Sequence, residues 1–119
     1  MKSKYFDKVT ALLKKARPGL ATTYQLEFKN CFGAIAGYVN GHIFISCGRF
    51  GVALKLPPKI LGSLLKEGGG KHLKYFPKGH IKKEYVLLPK RIIENKQKFK
   101  KLVDESIKYA LVYRKQGSG

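Results

Sequence analysis

Basic residues interleaved with aromatic ones are the strongest functional signal in this sequence. From Lys66 to Lys101, twelve lysines and arginines stand against three glutamates, and the whole chain has a net charge of +18. Such density attracts polyanions, and tyrosines among the cations can stack on nucleic-acid bases. We therefore predict one phosphate-contacting surface built from Lys71, Lys74, Lys78, Lys82, Lys83, Lys90, Arg91, Lys96, Lys98, Lys100 and Lys101.

Other functions account for the same residues. A lysine-rich surface can simply keep a protein soluble, and a domain of this kind can also bind an acidic protein partner or a second copy of itself. A clustered surface over Lys78–Lys101 would favour DNA or RNA, whereas an uncovered apolar face on His42–Leu56 would favour a protein partner. Membrane binding fits less well, because the basic helices carry few bulky apolar residues beyond their core stripes. No recognition-helix or RNA-binding motif is present, so sequence specificity is not expected.

Catalytic and metal-binding patterns are weak. Cys47 with a histidine is the one conceivable nucleophile pair, and a small core residue on a strand is the better interpretation of Cys47. The three histidines lack the spacing of metal ligands, and neither C-x-x-C nor H-E-x-x-H occurs. The run Gly68-Gly69-Gly70-Lys71 follows a predicted helix, unlike a phosphate-binding loop, and is typical of a helix end. We expect neither enzyme activity nor a metal site.

The chain that positions these residues is organised around a hairpin. Asn40-Gly41 between two apolar runs is a strong signal for a type I′ turn, because both central residues need positive φ. The pattern predicts three antiparallel strands, Phe32–Val39, His42–Cys47 and Val52–Leu56.

The hairpin also makes a prediction about the two cysteines. A two-residue loop pairs Val39 with His42, and an unbroken register then places Cys47 across from Ala34. In that register Cys31 and Cys47 lie on opposite faces of the sheet. We therefore expect both thiols to be reduced, unless a bulge shifts the register.

Helices are predicted on both sides of these strands. The apolar stripe of Lys4–Ala16 has helical periodicity, Pro57-Pro58 begins a short helix, and Asn95 is a good N-cap for a last helix that reaches about Arg114. Two further strands are predicted over His72–Phe76 and Glu84–Leu88, while residues 20–30 fit either a strand or an irregular lead-in. The order α-β(3)-α-β(2)-α predicts an α+β fold, with helices packed on one antiparallel sheet.

Length and composition indicate the number of domains and the expected location of the protein. The 119 residues suit one domain, which we place at residues 1–115, followed by a flexible tail at 116–119. No apolar run approaches the roughly 20 residues of a membrane span, and the N-terminus lacks the apolar core of a secretory signal. A cytoplasmic location is the expectation.

Five ordered motifs resemble the N-terminal domain family of TfoX/Sxy, the bacterial competence regulators. The motifs lie on both sides of the hairpin as well as within it, and the resemblance covers roughly residues 4 to 112. These motifs are Cys31-Phe32-Gly33, Tyr38-Val39-Asn40-Gly41-His42-Ile43-Phe44, Leu54-Lys55-Leu56-Pro57-Pro58, Glu67-Gly68-Gly69 and Tyr85-Val86-Leu87-Leu88-Pro89.

The resemblance implies an α+β fold similar to type III secretion chaperones, no enzyme activity, no cofactor and a link to transcriptional control of DNA uptake. The sequence departs from the family pattern in three places. Cys31 stands where the family usually has Met, Asn95-Lys96-Gln97 replaces an acidic start to the last helix, and the tail is more basic. We expect a stand-alone copy, without the C-terminal domain of full-length competence regulators.

Overall fold

An antiparallel sheet forms the centre of the fold. The computed structural model of the chain describes the backbone of residues 4–31, 33–73 and 82–117. Within these residues the strands are β1 (Leu26–Cys31), β2 (Ala34–Val39), β3 (His42–Gly48), β4 (Gly51–Lys55), β5 (Lys71–Leu73) and β6 (Lys82–Leu87). The helices are α1 (Lys4–Ala16), α2 (Leu20–Thr23), α3 (Pro58–Lys66), α4 (Lys90–Ile93) and α5 (Lys96–Gly117).

The strands lie in the order β1-β2-β3-β4-β6-β5, and each pairs antiparallel with its neighbours. Helix α5 packs on β3 and β4, α1 on β2 and β3, and α3 on β5 and β6. The predicted α+β fold with a single antiparallel sheet is therefore confirmed. Among the described helices, none is long and apolar enough to cross a membrane.

The Asn40-Gly41 turn has the predicted conformation, with φ of 50° at Asn40 and 83° at Gly41. Asn40 also holds the next strand in place. Its backbone N–H donates to the Gln25 carbonyl over 2.8 Å, and its side-chain Oδ1 accepts from the Gln25 N–H over 2.9 Å. These two bonds tie the start of β1 to the turn. They explain why the ambiguous segment before residue 31 becomes a strand.

A bulge on β3 overturns the predicted unbroken register. Val39 does pair with His42, but Gly37 pairs with Ile45 and Cys47 with Ile35, so Phe44 is the extra residue. A glycine inside a strand often marks such a bulge, so Gly37 was the residue in the sequence that could have indicated the shift in register. Cys47 remains a buried free thiol, as predicted, and the side chain of Cys31 lies outside the described residues.

Helix α5 is anchored to the sheet at this bulge. The buried Ser106 hydroxyl donates a 2.8 Å hydrogen bond to the Phe44 carbonyl. A second link joins α5 to the end of α1, where Arg17 Nε lies 3.2 Å from Asp104 Oδ1. The inner face of α5 enters the core through Phe99, Val103, Ile107 and Ala110. These contacts fix which side of α5 faces the solvent.

The two faces of the sheet differ. The helix-covered face carries large residues such as Ile45, Leu54 and Val86, which join the helices in one hydrophobic cluster. On the other face Ala36, Ser46 and Ala53 are small and also buried, and they stand outside that cluster. Among the described residues, the exposed large hydrophobic side chains are Phe50 and Val112. The strands over His42–Leu56 therefore do not present the broad apolar face that would favour a protein partner there.

Several elements differ from their predicted extents. Strand β5 begins at Lys71, and the rest of the predicted strand His72–Phe76 lies outside the described residues from residue 74 onward. The short helix α2 was not predicted as a separate element, whereas α4 lies where Pro89 predicts a bend or helical turn over Lys90–Glu94. Helix α5 continues to Gly117, three residues past the predicted end at Arg114. The division into a domain and a tail stays a prediction.

Candidate nucleic-acid interface and groove

The structure describes seven of the eleven predicted site side chains, and all seven are exposed. Lys74 and Lys78 lie outside the described residues. Lys82 and Lys83 belong to β6, but their side chains are likewise not described. Lys71 lies on β5, at the edge of the sheet. The other six lie on α4 and the first two turns of α5, and we call them the α4–α5 cationic surface: Lys90, Arg91, Lys96, Lys98, Lys100 and Lys101.

The helical period divides this surface. Lys96 and Lys100 are four residues apart and therefore neighbours on one flank of α5. Lys96 lines a small cleft with Leu12 of α1. Lys98 and Lys101 are three residues apart on the other flank and face α3. The α5 part of the predicted surface is therefore divided between two flanks with different surroundings.

The α4–α5 cationic surface is largely free of ion pairs within the described structure. Lys90 Nζ lies 3.7 Å from Glu94 Oε2, but the two side chains are 85% and 63% exposed, so the pair contributes little. The four α5 lysines of this surface have no described carboxylate within ion-pair distance. Arg91 Nη2 donates to the Gly68 carbonyl over 2.8 Å, which ties α4 to the end of α3.

The start of α5 concentrates positive potential. Asn95 caps the helix as predicted, since its Oδ1 accepts from the Lys98 backbone N–H over 3.1 Å. The first turn contains no acidic residue, and Lys96 and Lys98 therefore add their charge to the positive end of the helix dipole. Each such lysine opposes the dipole by about 0.3–1 kcal/mol when exposed. A bound anion would remove this unfavourable interaction.

A groove of about 600 Å³ lies between α3 and the α4–α5 pair. Its floor is aliphatic and consists of Ile60, Leu64, Ile92 and Leu102. Its rim carries four cations, Lys59, Arg91, Lys98 and Lys101, and two carboxylates, Glu67 and Glu105. We call this the α3–α5 groove. It brings together three of the predicted site residues.

Sequence reasoning missed the floor of the α3–α5 groove and the contribution of Lys59. Helix α3 carries four aliphatic residues, Ile60, Leu61, Leu64 and Leu65, and of these Leu61 is buried. Ile60 and Leu64 remain half-buried and line the groove. The sequence signal for the groove floor was the high proportion of aliphatic residues in this nine-residue helix, four of nine.

Stacking tyrosines do not join the α4–α5 cationic surface. Tyr75 lies outside the described residues, and Tyr85 is a half-buried residue of β6, paired with Lys55 of β4. The lining of the α3–α5 groove contains no aromatic side chain. Among the described residues of the α4–α5 cationic surface and the α3–α5 groove, the side chains therefore offer phosphate contacts and no platform for base stacking.

Cys47 does not have the properties of a nucleophile. It is fully buried on β3, and this burial raises the pKa of its thiol, while the positive charge of Lys8 acts in the opposite direction. Both the burial and the raised pKa disfavour the accessible thiolate that a nucleophile needs. Among the described residues, no three side chains of His, Cys, Asp or Glu gather closely enough to hold a metal ion.

The fold and its surface define a small α+β domain that presents cations on a helix pair beside one sheet. A family model described as the TfoX N-terminal domain matches residues 19–110, well over half of the chain. The chain belongs to the TfoX N-terminal domain family, which confirms the resemblance in the sequence motifs. The matched range contains the whole sheet and every residue that lines the α3–α5 groove.

Family membership supports a regulatory domain connected with competence. Comparison with curated proteins and with solved structures produced no match.

Proposed function

We propose that this domain is a non-enzymatic regulatory or accessory module that binds nucleic acid electrostatically. The observation that carries the proposal is the α4–α5 cationic surface, where six exposed cations occupy twelve residues and one of them has a weak ion pair. Cations in this arrangement can neutralise successive phosphates and release the counterions condensed on the nucleic acid. The proposed partner is DNA or RNA.

We expect the binding to have little sequence selectivity. Selectivity needs side chains that reach base edges or stack on bases, and phosphate contacts alone carry no sequence information. Lysine predominates on this surface, with Arg91 engaged by the Gly68 carbonyl. A lysine ammonium contacts phosphate as a point charge and does not reproduce the bidentate geometry by which arginine reads guanine.

Reversing the charge of Lys96 and Lys100 should weaken binding to a duplex DNA by at least about tenfold near physiological salt. Two lost phosphate contacts should also reduce the slope of log affinity against log salt by about two. A glutamate at position 96, in the first turn of α5, suits the helix dipole, and Lys100 is exposed, so the Lys96→Glu/Lys100→Glu variant should remain folded. Fluorescence anisotropy with labelled duplex DNA and single-stranded RNA measures both quantities.

The matched control is Lys14→Glu/Lys29→Glu, which changes the net charge equally at two exposed lysines outside α4 and α5. This control should keep most of the affinity and the slope. Equal losses in the two variants would show that only the total charge matters, and the proposed surface would then be wrong. Circular dichroism and thermal melting verify that both variants are folded.

A protein-interaction role is the second candidate, and the aliphatic floor of the α3–α5 groove favours it. Phosphates gain nothing from the half-buried Ile60, Leu64 and Leu102. Apolar side chains of a protein partner would gain free energy by burying their surface against these three residues.

A further inference from the structure

We infer that the α3–α5 groove is a docking site for an acidic amphipathic helix of a protein partner. This inference goes beyond nucleic-acid binding, and it shares Arg91, Lys98 and Lys101 with the α4–α5 cationic surface. It uses the flank of α5 that faces α3, whereas Lys96 and Lys100 occupy the other flank.

The floor of the groove matches the apolar stripe of a helix. Ile60 and Leu64 are four residues apart on α3 and form one ridge, and both are only half-buried. Leu102 of α5 lies across from them and is also half-buried, while Ile92 of α4 closes the base between the two walls. Peptide helices that bind in grooves insert apolar residues at positions i, i+3 or i+4, and i+7. The nine residues of α3 extend about 13 Å, enough to lie alongside two turns of such a helix.

The rim selects the charge of the partner. Cations stand on both walls of the groove, with Lys59 on α3 and Lys98 and Lys101 on α5. Neither groove carboxylate, Glu67 or Glu105, forms an ion pair with them within the described structure. With Arg91 included, the rim has four positive charges against two negative ones. Carboxylates flanking the apolar stripe of a helix would meet these cations, whereas lysines at the same positions would be repelled.

The same lining argues against nucleic acid as the occupant. An extended or duplex strand needs phosphate contacts along a polar track, and single strands need aromatic platforms for their bases. The α3–α5 groove has an aliphatic floor and no aromatic lining residue. The combination of an apolar floor with a basic rim is complementary to an acidic amphipathic peptide.

A designed peptide tests the inference directly. The probe is a fluorescein-labelled helical peptide of about four turns with leucines at i, i+3, i+7 and i+10 and glutamates beside them. A second peptide replaces each glutamate with lysine. The full-length protein should bind the acidic peptide at least about tenfold more tightly than the basic one. Equal affinity for the two peptides, or no binding of either, would overturn the inference.

Two protein variants locate the site. Leu64→Gln/Leu102→Gln keeps helix-forming residues but removes the apolar floor, and it should weaken acidic-peptide binding by at least about tenfold while duplex DNA affinity changes little. Leu65→Gln is the matched control, because Leu65 is a half-buried residue of α3 outside the groove lining. Unchanged peptide affinity in the floor variant would overturn the proposed site, as would a loss of DNA affinity without a loss of peptide affinity.

Reversing two charges on the groove rim tests the same site in a second way, in case the Leu64→Gln/Leu102→Gln variant does not fold. Lys98 and Lys101 are exposed, so Lys98→Glu/Lys101→Glu should remain folded. This variant should lose the acidic peptide and bind the basic peptide at least about tenfold better than the original chain does. No gain for the basic peptide would contradict docking in the groove.

Different results would contradict the proposed nucleic-acid function and the docking inference. Lys96→Glu/Lys100→Glu should lose DNA affinity and keep the acidic peptide. Loss of both ligands in that variant would mean that one unspecific anion effect explains the binding, and the docking inference would then be wrong.

Discussion

Truncating Phe99 to alanine should lower the free energy of unfolding by about 3–5 kcal/mol. Phe99 is 1% exposed and belongs to the first turns of α5. It lines a small cleft with Leu12 and Ala16 of α1 and Ile93 of α4, and it belongs to the hydrophobic cluster to which these three helices contribute. Removing the ring loses the transfer free energy of a large apolar side chain and leaves a cavity. Urea denaturation followed by circular dichroism measures the change.

Phe50→Ala is the matched control, because it deletes the same side chain at an exposed position. Phe50 is 44% exposed in the turn between β3 and β4, where Arg49 lies over its ring. We expect a loss below about 1 kcal/mol there. A similar cost for the two substitutions would contradict the placement of α5. This test matters for function, since Phe99 fixes the turns of α5 that carry Lys96, Lys98, Lys100 and Lys101.

Adding a single methyl group at Gly37 should destabilise the protein by about 1–3 kcal/mol. A Cβ atom at this position would lie 2.6 Å from Ile45 Cγ2 and 3.1 Å from Phe28 Cε1. Side chains from both neighbouring strands therefore occupy the space above this glycine. Phe28 is itself held by an edge-to-face contact with Phe6 of α1, with ring centroids 5.6 Å apart. The added methyl group would displace the Ile45 side chain and crowd the Phe28 ring, which packs against α1.

Gly62→Ala should have the opposite sign. Gly62 lies inside α3, and a Cβ atom there would meet nothing within 4 Å. Alanine is more favourable than glycine in a helix interior by up to about 1 kcal/mol, so this variant should melt at a higher temperature. If Gly37→Ala were as well tolerated as Gly62→Ala, the close packing over the bulge would be wrong.

The parts of the fold predicted correctly from the sequence depend on interactions between residues close together in the chain. Asn40-Gly41 demands a turn that few other residue pairs allow, and Asn95 caps α5 through its own side chain. Strand β1 was less predictable, because its place depends on hydrogen bonds between Gln25 and Asn40, fifteen residues later in the chain. The bulge at Phe44 was also missed. The Phe44 carbonyl there accepts a hydrogen bond from Ser106, which lies 62 residues away in sequence.

Exposure of the candidate site residues was predictable, but their grouping was not. Lysines rarely become fully buried, so their presence at the surface follows from residue type. Whether Lys98 lies beside Lys59 of α3 depends on how α5 is rotated about its axis, and core residues such as Phe99 and Val103 set that rotation. The α3–α5 groove arises from three helices that are separate in sequence. No periodicity within one helix could reveal it.

The two proposals overlap at Lys98 and Lys101, but the two flanks of α5 differ in what they offer a ligand. The flank with Lys96 and Lys100 is solvent-exposed and suits a polyanion that needs charge alone. The flank with Lys98 and Lys101 borders the aliphatic floor and suits a partner that brings both charge and apolar side chains. A domain with this arrangement could connect a nucleic acid with a regulatory protein, in keeping with its membership of a competence-related family.

Fluorescence anisotropy of the unmodified chain with labelled duplex DNA, measured across a salt series, tests nucleic-acid binding most directly. We predict a micromolar or tighter dissociation constant near physiological salt, with a slope of log affinity against log salt between about −3 and −5. Such a slope corresponds to roughly three to six neutralised phosphates, as the α4–α5 cationic surface allows. Binding that disappears at modest salt, or a slope near zero, would contradict the proposed function.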